Sequence, residues 1–402
     1  MALAPIHPRV NTPAAPMAPV FAYHERTKHY PGRFARASAA MDWATQPDPF
    51  RRFEGAPLIP LDLVPAGDQP RYEPAFVPGN IPPARLGRPS VSQLLQDSLA
   101  LSAWKQSGEA RWPLRVNPSS GNLHPTEGYL IAGPIEGLHA TPALYHYAPH
   151  EHALERRADL SDPAWASLAG QLPTGSVLVG LTSIHWRESW KYGERAFRYC
   201  HHDVGHAIGA IAIAAAGLGW EARLLEGVTD SELARLLGVD GQSGIEAEHA
   251  NCLLAIYPHP QGVPQDQLQN AVFPMDQQRA FTIRDVARAP LCPTEWLGVP
   301  NRLSNGHRHW PVIDDVAAAT RKTEPPCADF WDNSRASNSP LSVGDSSLAL
   351  RTIVQQRRSA VAFDGRTNIT REAFFKILRR VLPGKGHVPF ATLPWQPRID
   401  LL

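Results

Sequence analysis

The chain has 402 residues, 43% of them hydrophobic, with 39 Lys plus Arg against 38 Asp plus Glu and a net charge of +1. That length allows two or three domains with a substantial core, and the charge balance steers it toward neither nucleic acid nor an anionic membrane surface. The four cysteines (Cys200, Cys252, Cys292, Cys327) form no CxxC pair, so neither a disulfide framework nor a zinc ribbon is suggested and a cytoplasmic location is expected. The longest apolar run, residues 207–220, is too short and too glycine-rich to span a bilayer. The 40 prolines are about twice the usual share and imply long irregular connections.

Residues 1–20 are rich in Pro and Ala without a basic start, and read as a loose tail rather than a signal peptide. Within residues 21–83, the stretch 24–36 (HERTKHYPGRFAR) is dense in cations. It is either a solvated basic loop or an anion site in which Arg26, Lys28 or Arg33 supplies charge-assisted donors. Residues 90–105 are expected to form a helix, with Ser90 and Gln93 as a capping box and Val91, Leu94, Leu95 and Leu101 as its apolar face. Residues 115–130 (RVNPSSGNLHPTEGYL) follow. Pro118, Ser119, Ser120, Gly121 and Asn122 make a polar turn, Pro125 closes it, and residues 127–132 read as an apolar strand. Such a turn is either solvent-exposed or a ligand-facing loop whose hydroxyls and amide donate and accept.

Residues 144–147 and the charged stretch after them suggest a hairpin, and residues 176–184 a strand. Residues 189–199 lead into a long helix on which Phe197, Cys200, Val204, Ile208, Ile211 and Ala215 recur at helical spacing, stopped at Gly217 and Gly219. Small residues on it permit close approach of another helix or a partner subunit. A strand (220–225), the Glu226-Gly227 turn, a helix capped by Thr229 with Glu232 and ending at Gly238, and a strand (250–257) complete the pattern. This alternation argues for an α+β sandwich. His202 and His206 share a helical face, but the glutamate of a zinc-binding HExxH is missing, so packing histidines are favoured and no metal is expected.

PSSGNLHP with its following strand, the KYGERAFRY segment from Lys191, and the Leu225-Glu226-Gly227 turn with VTDSELARLLG together resemble nitroreductase-like FMN enzymes. The closest resemblance is to the SagB-type dehydrogenases, which include the azoline oxidases of thiazole/oxazole peptide biosynthesis. The resemblance runs over about residues 23–258. It implies a sandwich of an antiparallel-type sheet and helices, FMN as cofactor, and two-electron hydride transfer at flavin N5. It implies that Ser119, Ser120, Gly121, Asn122, Glu226 and Gly227 contact the flavin. Arg26 and Lys28 would hold its phosphate, and Arg115 would do likewise or balance charge at N1 and O2. Lys191 and Tyr192 would handle the proton, through a Lys depressed by burial or a Tyr depressed by a neighbouring ammonium. The substrate would be azoline-like, another small molecule or a peptide, and the assembly a homodimer or an intrachain pseudo-dimer. An NAD(P)H-driven nitro or quinone reductase and a flavin-free docking protein of a peptide-modifying complex are the alternatives.

Residues 357–364 (RRSAVAFD) resemble the N-terminal phosphate-binding segment of nitroreductases, and GRTNIT at 365–370 echoes GRPSVS at 87–92. The expected organisation is a tail (1–20), an FMN module (21–260), a Pro-rich linker (261–344) and a truncated second module (345–402). A phosphate clamp without a ring cradle should hold FMN poorly, so at most one FMN per chain is expected, in the first module. The remnant would either lie across that module or expose Phe363, Phe374 and Phe375.

Overall fold

The computed structural model describes residues 17–260, 295–324 and 347–395, apart from 361 and 385. The first sixteen residues of the expected tail, residues 261–294 and 325–346 of the expected linker, Cys292 and Cys327 lie outside the described residues. In chain order the strands are β1 (Phe53–Glu54), β2 (Leu58–Pro60), β3 (Leu101–Ser107), β4 (Ala110–Arg115), β5 (Thr126–Ala132), β6 (Ala143–Ala148), β7 (Ala153–Asp159), β8 (Val177–Ile184), β9 (Trp220–Leu225), β10 (Glu248–Pro258) and β11 (Val299–Pro300). The helices are α1 (Ala18–Thr27), α2 (Arg88–Gln96), α3 (Asp162–Ala169), α4 (His185–Tyr192), α5 (Ala196–Gly217), α6 (Asp230–Leu237), α7 (Pro311–Ala319), α8 (Leu350–Gln356) and α9 (Arg371–Val381).

A seven-stranded sheet in the order β2-β7-β6-β5-β8-β10-β9 carries the fold, and every neighbouring pair in it is antiparallel. Its inner strands β5, β6 and β8 are buried along their whole length, because helices cover both faces. Side chains alternate across a strand. Thus Leu130 and Ala132 of β5 join α2 and α5 in one apolar cluster, while Tyr129 and Ile131 join α3 and α6 in another. This is an α+β sandwich, as the sequence pattern implied.

One expected helix is corrected. α2 ends at Gln96, and Leu101 onward is strand β3, hairpinned to β4 with Lys105 opposite Trp112. Gly108, at φ 58°, makes the turn, and the ladder of the hairpin satisfies the backbone that a longer helix would have used. The cap also differs. The Gly87 N–H donates to Ser90 Oγ at 3.0 Å, so Ser90 sits inside the first turn rather than ahead of it. Of the expected linker, residues 295–324 pack onto the sandwich: β11 pairs with β1, and the Leu303 N–H donates to Glu246 at 2.8 Å.

Charge is buried inside this sandwich in alternating sign. Arg187 of α4 bonds Glu127 of β5. His146 of β6 lies 3.2 Å from Glu127 and 2.8 Å from Glu155 of β7, and Arg52 Nε donates to Glu155 at 2.6 Å. Both neighbours of His146 are carboxylates, so both ring nitrogens donate and the imidazole carries charge. Burial alone would lower its pKa, but Glu127 and Glu155 outweigh burial and raise it. Burial alone would likewise raise Glu127, but Arg187, His146 and Arg115 hold it at about 2.

The sign of each shift fixes a pH window. The Glu127 contribution is complete above the ordinary carboxylate value of 4.5 and is lost as pH falls toward about 2. The His146 contribution is complete below 6.5 and is lost as pH rises through its elevated value. Thermal unfolding should therefore show a midpoint that falls on both sides of that window. Arg187→Leu, which strands Glu127 in the core, should cost about 3–5 kcal/mol in denaturant unfolding, and adding Glu127→Leu should recover part of it.

Candidate functional site

The turn at residues 118–122 is held from three sides. Asp203 of α5 accepts from the Ser120 N–H at 2.9 Å and from Ser120 Oγ at 2.9 Å. The His124 N–H donates to Ser119 Oγ at 2.8 Å, and Asn122 Nδ2 donates to the Pro113 carbonyl at 2.7 Å. Below the turn, Arg187 Nη1 donates to the His124 carbonyl at 2.8 Å and Nε to the Asp48 carbonyl at 2.9 Å. Gly121 and Asn122 adopt φ of 60° and 62°, a left-handed pair that bends the chain over α4.

What lies against that bend is Tyr192. A Cβ built on Gly121 would stand 2.4 Å from the Tyr192 hydroxyl, so the glycine is what allows the phenol to reach the turn. Tyr192 packs on Tyr199 at 4.5 Å between ring centroids, and Lys191 Nζ sits 5.4 Å from the Tyr192 ring centre. The structure thus brings Ser119, Ser120, Gly121 and Asn122 together with Lys191 and Tyr192. Tyr192 is pushed up to about 12 by burial, then by the charges of Glu188, Tyr199 and Asp203. Its hydroxyl is therefore held protonated, in contrast to the depressed phenol that a neighbouring ammonium alone would give.

The cations anticipated at the phosphate stand elsewhere. Arg26 forks onto the buried Glu194 at 2.8 and 2.6 Å, and Lys28 pairs with Glu25 at 2.5 Å. Arg115 is buried, bonding the carbonyls of Thr126 and Pro49 at 3.1 and 2.6 Å, and burial pulls it down to about 10. Two other guanidinium groups do reach the turn. Arg357 donates to the Val116 carbonyl at 3.1 Å and Arg358 to the Ser102 carbonyl at 3.0 Å. Among the described residues neither forms an ion pair, so both positive charges are uncompensated. They belong to the RRSAVAFD segment, which α8 anchors through Arg351 on Asp97 at 2.5 Å. Beside them Asn117 Oδ1 is buried without a donor.

Glu226 and Gly227 lie on the other side of α5. Lys322 Nζ donates to the Glu226 carbonyl at 3.3 Å and also lines a cavity of about 860 Å³ with His185, Phe197, His201, Asp230 and His249. The imidazoles of His185 and His249 stack there at 4.0 Å. His201 faces this cavity while Asp203, two residues on, faces the turn. Residues two apart on a helix point about 200° apart, so one chain does not place both halves around a single ligand. Among the described residues no group of three or more His, Cys, Asp or Glu is placed to hold a metal ion, and His206 instead lies 3.8 Å from Asp203. Sequence reasoning missed Glu188, Asn117 and the role of Asp203. The signal available for Glu188 was its spacing four residues before Tyr192.

Comparison with known proteins bears on the same residues. Residues 88–256 match the nitroreductase family model. A candidate nitroreductase of Methanocaldococcus jannaschii is 26% identical over 126 residues, 30% of this chain, which spans 63% of that relative's length. A crystal structure of a candidate nitroreductase from Anabaena variabilis superposes with a TM-score of 0.55 at 21% identity, over 86% of this chain and 65% of that one; it shares the fold. The E. coli microcin synthetase complex, solved with a truncated precursor peptide bound, gives 0.36 at 18% identity over 63% of this chain and 85% of that one, too low to carry an argument. Among the described residues no helix is long and apolar enough to cross a membrane.

Gly121→Ala should destabilise the chain by more than about 1 kcal/mol in denaturant unfolding, since it combines a left-handed backbone with a collision. In a Tyr192→Ala background the same change should cost less, because only the backbone strain remains.

Proposed function

We propose that the chain is an FMN-dependent oxidoreductase of the nitroreductase type, SagB-like, in which Lys191 and Tyr192 handle the proton of a two-electron reaction. The observation that carries this reading is the convergence at residues 118–122. A bent polar turn, a phenol packed on its glycine, an acceptor without a donor (Asn117 Oδ1) and two uncompensated guanidinium groups meet there. A flavin mononucleotide asks for those features: hydrogen-bonding groups for its ring edge and cations for its phosphate dianion. Ser119, Ser120, Gly121, Asn122 and Asn117 would hold the ring edge, and Arg357 and Arg358 the phosphate, in place of Arg26, Lys28 and Arg115. Bound there, the flavin would supply hydride chemistry at N5.

The chain's own groups supply the rest. Tyr192, fixed by Tyr199 and Gly121, presents a protonated hydroxyl at the turn, with the Lys191 ammonium beside its ring. Arg187 keeps turn and helix in register. The Glu226-Gly227 turn faces the opposite side of α5, so a second copy of the chain is the source of that half of the cradle. The substrate would be a small molecule or a peptide. An azoline-like ring to be oxidised, or a nitro or quinone compound to be reduced, both fit a site built this way.

The purified chain should be yellow and release FMN, not FAD, on denaturation, at no more than one equivalent per chain. Arg357→Ala with Arg358→Ala should weaken FMN binding in a titration by at least tenfold with the fold intact, while Arg26→Ala should not. A colourless chain that takes up no FMN would leave a flavin-free docking role in front. With a competent substrate, Lys191→Ala and Tyr192→Phe should keep their flavin and lose on the order of a hundredfold in turnover.

A further inference from the structure

Glu188 lies on α4, four residues before Tyr192 and so on the same helical face. It is fully buried, and neither carboxyl oxygen has a hydrogen-bond partner. The titratable groups facing it are Asp203 and Cys200 from α5 and Lys191 and Tyr192 from its own helix. An ionised carboxylate without a donor in a dry interior is a costly state. Burial, and then the charge of Asp203, hold Glu188 well above the usual carboxylate range against the weaker pull of Lys191. Asp203 differs because Ser120 donates to it from both N–H and Oγ. The result is a neutral acid whose O–H finds no acceptor, one helical turn beneath a phenol that reaches the proposed flavin turn.

We propose that Glu188 stores the proton that recharges Tyr192. When the Tyr192 hydroxyl gives its proton to substrate, the Glu188 O–H bond breaks, the O–H bond on Tyr192 re-forms, and the negative charge comes to rest on Glu188 near Lys191. Glu188 is thus a positioning residue that acts through Tyr192, and this rests on the proposed role of Lys191 and Tyr192. Two neutral acids in series stock the site to give protons, which suits a substrate that gains hydride and proton together.

The first test needs no flavin. The infrared spectrum of the full chain at neutral pH should contain a protonated-carboxyl band that Glu188→Gln removes. Spectrophotometric titration, with Tyr192→Phe as reference, should show Tyr192 ionising at lower pH in Glu188→Gln than in the parent, because a charge that holds the phenol up is gone. The second test uses FMN-loaded protein reduced with dithionite and mixed with nitrofurazone. Glu188→Gln should slow the limiting rate by tenfold or more without changing the nitrofurazone concentration for half-maximal rate, and Glu188→Asp should restore part of it. Absence of the carboxyl band, or an unchanged rate and pH profile in Glu188→Gln at full flavin load, overturns the proposal. A chain that takes up no FMN sinks the functional reading, while the band and the titration still decide whether Glu188 stores a proton. Should Glu188→Gln fail to fold, Glu188→Met serves in its place.

Discussion

Arg187 is the side chain on which the arrangement of this molecule depends. Fully buried, it bonds Glu127 in the centre of the sheet, the His124 carbonyl at the end of the polar turn, and the Asp48 carbonyl of an N-terminal loop. Three segments distant in sequence are thereby referred to the first turn of α4, the helix that ends in Lys191 and Tyr192. Beyond Glu127 the alternation of sign continues through His146, Glu155 and Arg52 to Glu151. A buried ion pair gives little net stability compared with an apolar pair of the same shape. Its value here is positional: a guanidinium fork with no other acceptor in reach permits one register of helix, sheet and turn.

Glu127 and Glu188 show how completely surroundings decide what a carboxyl does. Both are fully buried. Glu127 meets Arg187 and a charged His146 and stays ionised at about 2, so its role is to hold structure. Glu188 has no donor, faces the charge of Asp203, and stays protonated. Arg187 and Glu188 are adjacent in sequence, yet the helix turns one toward the sheet and the other toward α5. The same short helix therefore supplies the fixed point of the fold and an acid beneath the candidate site.

α5 divides the functional surface. One face supports the polar turn through Asp203, and the other lines the cavity near Glu226 and Gly227 through His201. The segment after residue 347 adds to the first face. Leu350 enters a cluster with Ala75 and Phe76, Arg351 pairs with Asp97, and the chain is then delivered to Val116. Further on, α9 is tied to Glu73 through Lys376 at 2.6 Å and through Arg380, while Phe363, Phe374 and Phe375 stay exposed. The second copy of the motif is thus docked at its start and bare along its helix.

Period and punctuation in the sequence determined most of the elements. Continuous apolar runs marked β5 and β8 because both faces of those strands are covered. The Thr229 and Glu232 box and the left-handed Gly238 bounded α6, and the Gly121 bend was visible as a Ser-Ser-Gly-Asn turn. Residues 101–105 escaped this reading, since the hairpin that claims them is closed by Gly108 and by a partner strand rather than by local preference. The site divided in the same way. That Ser119, Ser120, Gly121, Asn122, Lys191 and Tyr192 are chemically apt was legible from residue type. That Arg26, Lys28 and Arg115 are tied to partners elsewhere, that Arg357 and Arg358 reach the turn, and that Glu188 has no partner was decided only in three dimensions. Whether a charge is free, paired or neutralised depends on which groups the fold brings within a few ångströms, and no single stretch of sequence records that.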